Sequence, residues 1–342
     1  MNAKNKKEQP LLLGYWLKRF LMEYLVSVRN LSDNTRKSYR DTFRLLIPSV
    51  ANDKHIKADA LKVTDVTSEC VLNFLNRLEL ERNCTIRTRN QRLAAIQSFA
   101  RYISLHSPDH LEWSASISNV PRKKMVRRII TYLEKEEMEA LLAAPDINIP
   151  QGKRDYAMLL FMYNAGTRAE ETASLKIKDL QLPRGKKGSG IVTILGKGRK
   201  TRACPLWNKT CNVLSNLIGS RDENDFVFLN RFGEPITRYG VYEVVTKYAK
   251  DIETQFPSVK NKRLSPHTIR HTTATHLLQS GVDINTIRAW LGHVSIDTTN
   301  QYAEINMKMK IEALEKCNIL KTPKTKMHWR DDKNLMDFLN SF

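Results

Sequence analysis

The chain has 342 residues, and its 56 Lys and Arg residues outnumber 36 Asp and Glu residues, which leaves a formal charge of +20. This excess favours a nucleic-acid partner, although a basic protein without such a partner also fits the charge. Five scattered cysteines without a CxxC pair argue against disulfides and zinc fingers, and without a signal peptide or a membrane span of about 20 apolar residues we expect a soluble cytoplasmic protein.

The first hundred residues predict a small helical domain. Apolar residues recur at helical spacing over 15–28, 66–79 and 85–105, and Ser32 is placed to cap the helix that begins SDNTRKSYR. The helix over 85–105 also carries several arginines, which favour a solvated face and a phosphate-binding face about equally. These candidate DNA contacts are Arg87, Arg89, Arg92 and Arg101.

The helical pattern lapses over residues 106–128, which contain two prolines, several serines and a cluster of basic residues. Such a composition is typical of an interdomain linker, and a linker this basic is expected to lie along a nucleic-acid backbone. The candidate contacts there are Arg122, Lys123 and Lys124.

A second domain is predicted from Thr131, where TYLEKEE resembles a capped helix start. The strand candidates are 190–195, 201–206 and 226–229, and they favour a small antiparallel sheet whose first two strands are joined by the turn GKGRK. The predicted helices are 134–143, 152–164, 168–175, 209–219, 239–255, 266–280, 283–291 and 307–317. The predicted domains are 1–107, a linker 108–130, a second domain 131–318 and a tail 319–342.

Five local features of the second domain carry candidate chemistry, and each has an ordinary explanation when taken alone. An arginine in NAGTRAEE has Glu170 and Glu171 as salt-bridge partners, and the GKG turn is typical of a hairpin. His267 and His271 are four residues apart, but no HExxH motif or carboxylate completes a zinc site, so we expect no metal. The features are Arg168, Lys197, the pair His267 and Arg270, His293 and Tyr302.

Together these residue types suit the transfer of a phosphoryl group. Arginine binds two non-bridging oxygens at once, and losing one donor to the pentacoordinate phosphate typically costs about 3–4 kcal/mol. A tyrosine nucleophile, with a pKa near 10, forms an ester that preserves the energy of the broken bond. A lysine on a hairpin tip is a suitable general acid for the leaving oxygen.

At these residues the sequence resembles the tyrosine recombinases, the family of phage integrases and Xer chromosome-dimer resolvases. The shared words are AGTRAEE, GKGRKTR, HTIRHTTATHLL and WLGHVSIDTTNQY, and LSDNTRKSYRDTFRLL and TRNQRLAAIQSFARYI resemble the family's N-terminal domain. The resemblance implies a mainly α fold with a small antiparallel sheet. A SAM-like helical core-binding domain and an α+β catalytic domain would form a C-shaped clamp around DNA.

The resemblance also implies a role for each residue of the set. Arg168 and Arg270 would bind the scissile phosphate, and His293 would hydrogen-bond it. Lys197 would protonate the leaving 5′ oxygen, while His267 would assist proton transfer.

Tyr302 would form the 3′-phosphotyrosyl link, and Glu171 would help hold the site together. Arg199 and Lys200, beside the hairpin lysine, are further candidate DNA contacts. One departure is Thr172, which stands where the family commonly has leucine and removes no catalytic group.

The implied function is site-specific recombination of integrase or transposase type, without a metal or high-energy cofactor. Four protomers would assemble on two DNA sites with short inverted repeats, with a C-terminal helix inserted into a neighbour and a partner recombinase as an open question. The basic N-terminus and the tail favour a mobile-element recombinase in a bacterial, nucleoid-associated setting. The alternatives are an Xer-like resolvase, a type IB topoisomerase or telomere resolvase, and a catalytically silent DNA-binding relative.

Overall fold

The structure is a computed structural model that describes residues 11–125, 130–183, 190–196, 200–292 and 333–341. The chain divides into two compact units, Met1–Arg128 and Ile129–Phe342. Each unit has its own hydrophobic core, one built on Phe20 and its neighbours and one on Phe161 and its neighbours. Within the described ranges, no helix is both long enough and apolar enough to cross a membrane.

The first unit is helical, as its sequence predicts. Its helices are α1 (Leu13–Arg19, continued by a π-helical segment Phe20–Val28), α2 (Asp33–Lys54), α3 (Ser68–Leu80), α4 (Ile86–His106) and α5 (Leu111–Ser118). The side chains of Ser32, Thr67 and Thr85 accept hydrogen bonds from backbone N–H groups of the first turns of α2, α3 and α4. These caps satisfy donors that a helix start leaves unpaired, and the predicted cap at Ser32 is confirmed.

Aromatic side chains from three helical segments meet in the core of the first unit. The ring of Phe20 lies 6.2 Å from Phe43 of α2, and 5.2 and 5.3 Å from Phe99 and Tyr102 of α4. Because full burial of one such side chain is worth about 1.5–3 kcal/mol, this cluster fixes the packing of the segment after α1 against α2 and α4.

The predicted linker contains a helix that the sequence pattern did not reveal. In α5, Ile117 is fully buried and the indole of Trp113 donates a hydrogen bond of 2.8 Å to the carbonyl of Val66. With so few apolar residues in one short helix, periodicity is weak, and tertiary packing decides the conformation. The predicted domain boundaries themselves stay predictions.

The second unit combines helices with one small sheet. Its helices are α6 (Lys135–Ala143), α7 (Pro150–Ala165), α8 (Ala169–Ala173), α9 (Asn208–Ile218), α10 (Arg238–Asp251), α11 (Pro257–Lys262), α12 (Pro266–Gln279), α13 (Ile284–Leu291) and α14 (Lys333–Asn340). Helix α6 starts within one residue of the predicted start at 134, and its cap is Glu134 rather than Thr131, because the backbone N–H of Glu134 bonds to the carboxylate of Glu137. The predicted mainly α fold with a small antiparallel sheet is confirmed.

The sheet contains β1 (Leu180–Gln181), β2 (Gly190–Leu195) and β3 (Thr201–Leu206), in that order and antiparallel. The predicted bounds of β2 and β3 are confirmed, but the prediction of a strand over 226–229 is wrong. That segment makes only isolated bridges within the described residues, and the backbone of Val227 bonds to Leu175. Its apolar character reflects the burial of Val227 and Phe228 in the core rather than pairing in the sheet.

Two helices, α7 and α12, run through the middle of the second unit. Helix α7 has buried residues on every side, including Leu159 and Phe161, and it packs against α9 and α12. A helix that is apolar all round belongs inside a core. Its C-terminal end therefore lies at a fixed point of the unit, next to Arg270 of α12, whose guanidinium donates to the Gly166 carbonyl.

Candidate active site

One buried carboxylate, that of Glu171, meets three guanidinium groups. Nη1 of Arg168 donates to Oε1 at 2.5 Å, and Arg202 donates from Nη1 to Oε1 at 3.2 Å and from Nη2 to Oε2 at 2.7 Å. Nη1 of Arg270 lies 3.9 Å from Oε2. We call these four side chains the Glu171 cluster. Among the described residues it combines three positive charges with one negative charge, which leaves a net charge of +2.

The cluster keeps Glu171 ionised. The side chain is only 4% exposed, and burial by itself raises the pKa of a carboxyl group. Hydrogen bonds and charge from Arg202, with further contributions from Arg168, outweigh that effect and lower the pKa of Glu171 to about 2. Glu171 is therefore a carboxylate at any physiological pH, and it can hold arginines in place.

The local sequence explains how Arg168 reaches Glu171. Helix α7 ends at Gly166, which has φ +59°. A Cβ at this position would lie 2.5 Å from Cδ2 of Leu291, so the position requires glycine. After this turn, Glu171 Oε2 accepts the backbone N–H of Arg168 at 3.0 Å. The segment AGTRAEE thus forms the end of one helix followed by the first turn of α8.

Arg270 is buried, with 1% of the residue exposed. It donates from Nη1 to the carbonyl of Gly166 at 2.6 Å and from Nη2 to the carbonyl of Leu291 at 2.5 Å. His267 lies one helical turn earlier on α12 and is exposed, and its ring packs edge-on against His271 with the centroids 4.2 Å apart. The structure therefore brings Arg168, Glu171 and Arg270 together and places His267 on the same helix as Arg270.

Arg202 belongs to the Glu171 cluster, although the sequence analysis does not predict it as a site residue. It lies at the start of β3, where its side chain is 8% exposed. The signal was present in the alternation of the strand, because Arg202 has the same parity as the buried Cys204 and Leu206. An arginine at an inward-facing strand position requires a buried partner, and that partner is Glu171.

Comparison with known proteins identifies the family. The model of the phage integrase family matches residues 131–309. The putative integrase/recombinase y4rC of Sinorhizobium fredii is 34% identical over 342 residues, which cover 99% of both chains. Tyrosine recombinase XerD of Halalkalibacterium halodurans is 30% identical over 81% of this chain and 89% of its own length.

The chain belongs to the phage integrase family of tyrosine recombinases. It is accordingly a site-specific recombinase, an enzyme that breaks and rejoins DNA strands. Solved structures agree on the fold. The Tn1549 transposon integrase, in complex with a circular intermediate DNA, has a TM-score of 0.65 with 17% identity over 87% of this chain and 98% of that one. XerH bound to its difH substrate has a TM-score of 0.62 with 21% identity over 84% and 80%.

Several predicted site residues of the recombinase lie outside the described residues: Lys197, Arg199, His293 and Tyr302. The chain on either side is described. At the base of the β2–β3 hairpin, the backbone N–H of Gly196 donates to the carbonyl of Lys200, whose side chain is exposed. Helix α13 ends at Gly292, the residue before His293, with φ +64°.

The predicted DNA contacts of the first unit differ in accessibility. Arg87, Arg101 and Lys124 are exposed, whereas Arg92 is half-buried and donates to the carbonyl of Asp41. Arg122 donates to Gln97, and Lys123 forms an ion pair with Glu79.

Arg89 does not fit the role predicted for it. Its side chain is buried, and its Nε lies 3.2 Å from the carboxylate of Glu79. Helical spacing could not separate this inward arginine from its exposed neighbours, because the partner Glu79 comes from another helix. We remove Arg89 from the candidate DNA contacts.

Within the described ranges of the recombinase, no group of three or more His, Cys, Asp or Glu side chains could hold a metal ion. The cysteines described there are all free thiols: Cys70, Cys84, Cys204 and Cys211.

Proposed function

We propose that this recombinase cleaves DNA at a phosphate bound by Arg168 and Arg270, through attack by Tyr302. The observation that carries the proposal is the net positive charge of the Glu171 cluster. Its one carboxylate is shared by three guanidiniums, and the four side chains together carry a net charge of +2, which attracts an anion to the partly exposed Arg168. A DNA phosphate gains further negative charge as it becomes pentacoordinate, and preorganised arginines stabilise that charge.

The two arginines differ in how they act. Arg168 is 36% exposed, and Glu171 fixes it from one side, so it presents the accessible donors to the phosphate. Arg270 is buried, and its hydrogen bonds to two backbone carbonyls leave it little freedom to move. It therefore contributes a fixed positive charge to the site. Such preorganisation means that the donors need no reorganisation when the phosphate reacts.

In the proposed reaction, the phenolic oxygen of Tyr302 bonds to phosphorus while the bond from phosphorus to the 5′ oxygen breaks. Lys197 donates a proton to the leaving 5′ oxygen, and His267 assists proton transfer by taking up the proton that the phenol of Tyr302 loses. His293 hydrogen-bonds the phosphate. The product is a 3′-phosphotyrosyl link and a free 5′ hydroxyl, and the reverse attack rejoins the strand. No step requires a metal or a high-energy cofactor.

We propose integration or transposition for a mobile element as the biological role. The similarity to a putative integrase/recombinase over the full length of both chains supports this assignment. The 30% identity to XerD favours chromosome-dimer resolution as the second candidate. In either role, we propose that protomers form a tetramer on two DNA sites with inverted repeats, with the exposed Arg87, Arg101 and Lys124 among the contacts to DNA.

A suicide substrate tests the chemistry. Double-stranded DNA from the sequences that flank the gene is nicked near the candidate cleavage position, so that religation fails and a covalent complex accumulates on a denaturing gel. We expect the band with the wild type and with Tyr239→Phe, a change at an exposed tyrosine on α10. Tyr302→Phe should bind the same DNA without forming the band. A band that persists in Tyr302→Phe, or a bound substrate that the wild type never cleaves, would overturn the proposal.

A further inference from the structure

Arg202 joins three segments of the second unit that lead to different site residues. It belongs to β3, five residues after Lys197 in the sequence. Its Nη1 and Nη2 donate to Glu171 on α8, the helix that follows Arg168, and its Nε donates to the carbonyl of Trp290 at 2.9 Å. Trp290 lies in the last turn of α13, three residues before His293.

Two arginines donate hydrogen bonds to the end of α13, and the thiol of Cys204 is a further donor to the carbonyl of Trp290, at 3.3 Å. The last carbonyls of a helix have no partner within the helix, and this end carries partial negative charge. The carbonyl of Trp290 accepts from Arg202, and the carbonyl of Leu291 accepts from Arg270. Both arginines also approach Glu171, so one carboxylate and two guanidiniums hold the helix end from which the chain continues to His293.

Close packing leaves Arg202 little freedom. Gly292 follows α13 with φ +64°, and a Cβ there would lie 3.1 Å from Cδ of Arg202. All three guanidinium nitrogens of Arg202 already donate to protein oxygens, and the side chain is 8% exposed. Arg202 is thus unsuited to bind a phosphate itself. A lysine could not reproduce the contact, because the planar fork makes three bonds in fixed directions.

We propose that Arg202 is a positioning residue for strand cleavage: it orients Glu171, and through it Arg168, and it fixes the end of α13 ahead of His293. The inference rests on the proposed function, since it assumes that Arg168 and His293 act on the phosphate. A displacement of about 1 Å in a reacting group costs about 100-fold in rate. Loss of Arg202 should therefore reduce cleavage by that order while DNA binding is kept.

The test compares Arg202→Lys with Arg221→Lys in the full chain. Arg221 is a matched control, because it also donates to backbone carbonyls of the second unit, those of Ile218, Phe226 and Val227, away from the Glu171 cluster. Affinity for the suicide substrate, the single-turnover cleavage rate at saturating enzyme and the melting temperature are measured for each. We expect Arg202→Lys to cleave about 100-fold more slowly with affinity within about twofold, and Arg221→Lys to cleave at the wild-type rate.

Two further measurements separate positioning from stability. Arg202→Met removes the main group that offsets the effect of burial on the pKa of Glu171, so this pKa rises. The ratio of variant to wild-type cleavage rate should therefore fall as the pH decreases from 7 to 5. Gly292→Ala places a Cβ against Arg202 and should lower the cleavage rate without a change in DNA affinity, which covers the case in which Arg202 variants do not fold. Gly281→Ala is its control, because φ +84° brings the same kind of backbone strain with no neighbouring atom within 4 Å of the added Cβ, and it should cleave at the wild-type rate.

The outcomes are distinct. Cleavage by Arg202→Lys at the wild-type rate, or an equal loss in Arg221→Lys that follows melting temperature, would overturn the positioning role. A wild type that binds the substrate without forming a covalent complex would instead contradict the proposed function. In that case the pH midpoint of acid unfolding, measured for Arg202→Met and the wild type, still reports on Arg202. We expect the midpoint at higher pH in the variant, because the pKa of Glu171 rises when Arg202 is lost. An unchanged acid midpoint would show that Arg202 does not control Glu171 and would overturn the inference independently of catalysis.

Discussion

Two buried glutamates of the second unit are held by cations in different ways. Glu137 of α6 forms an ion pair with Lys262 of α11 and accepts from Ser258 and from the backbone of Glu134. Within the part of the chain that the structure describes, this is its one ion pair, so the charges cancel. Glu171 meets three arginines, and its cluster keeps a net charge of +2.

The difference separates a packing contact from a binding site. In both cases burial raises the pKa of the carboxyl group, and the cationic partners together with neutral hydrogen-bond donors more than offset that effect, so the pKa is lowered. The neutral Glu137–Lys262 pair joins α6 to α11 and needs nothing further. The four side chains of the Glu171 cluster carry a net positive charge beside a partly exposed arginine, which is the electrostatic condition for binding a phosphate.

The largest expected effect is on catalysis. Arg168→Ala removes the accessible guanidinium of the Glu171 cluster and should lower the single-turnover cleavage rate about 100- to 1,000-fold, since loss of one preorganised donor has that effect. Lys262→Met removes the cation of the neutral pair and should leave the cleavage rate of the folded protein near that of the wild type. Equal losses of cleavage rate in the two variants would show that the net charge of the Glu171 cluster has no special role in catalysis.

The next effect is on stability. Glu171→Gln leaves three buried or half-buried guanidiniums without their carboxylate, and breaking a buried pair from one side typically costs about 3–5 kcal/mol. Glu137→Gln leaves one lysine, 21% exposed, and should lower the free energy of unfolding less. Urea unfolding at pH 7 measures both values. A larger loss for Glu137→Gln would show that the Glu171 cluster is not the stronger of the two contacts.

The third effect is a pH dependence. A carboxyl group whose pKa is lowered by folding stabilises the fold above its unfolded pKa, and this contribution is lost as the pH falls. For Glu171 the window runs from about 4.5 down to about 2, and the contribution is about 3 kcal/mol. Free energies of unfolding between pH 6 and 2.5 should decline less steeply in Glu171→Gln than in the wild type. Parallel curves would contradict the lowered pKa.

The sequence predicts elements best where local patterns and tertiary packing agree. Strand β2 alternates buried and exposed residues from Gly190 to Leu195, and the turn that follows supports a hairpin, so its bounds are confirmed. The segment 226–229 has the same apolar character but is buried without pairing in the sheet. Helix α5 has too few apolar residues for its pattern to show, and contacts such as that of Trp113 with Val66 stabilise it.

The candidate site shows the same limit at the level of side chains. Family motifs locate Arg168, Glu171 and Arg270, and the structure brings them together. Arg202 is the last residue of the shared segment GKGRKTR, yet its role depends on a carboxylate 31 positions earlier and on a carbonyl 88 positions later. In the sequence, Arg89 cannot be distinguished from the exposed arginines near it, and only the structure shows that it contacts Glu79. Only the fold supplies these partners.

The smallest expected effect concerns DNA binding, in which the Glu171 cluster and the neutral Glu137–Lys262 pair should differ. An arginine that contacts a phosphate releases counterions, so its removal should reduce the slope of log affinity against log salt by about 0.9. Arg168→Gln should show this change on a duplex that contains the recombination site, because its partly exposed guanidinium is not fully neutralised. Lys262→Gln should keep the wild-type slope, since its charge is already cancelled by Glu137. Fluorescence anisotropy at salt concentrations from about 50 to about 200 mM measures the slope for both variants. If both variants lost the same slope, net charge of the whole protein rather than the local balance at Glu171 would determine binding.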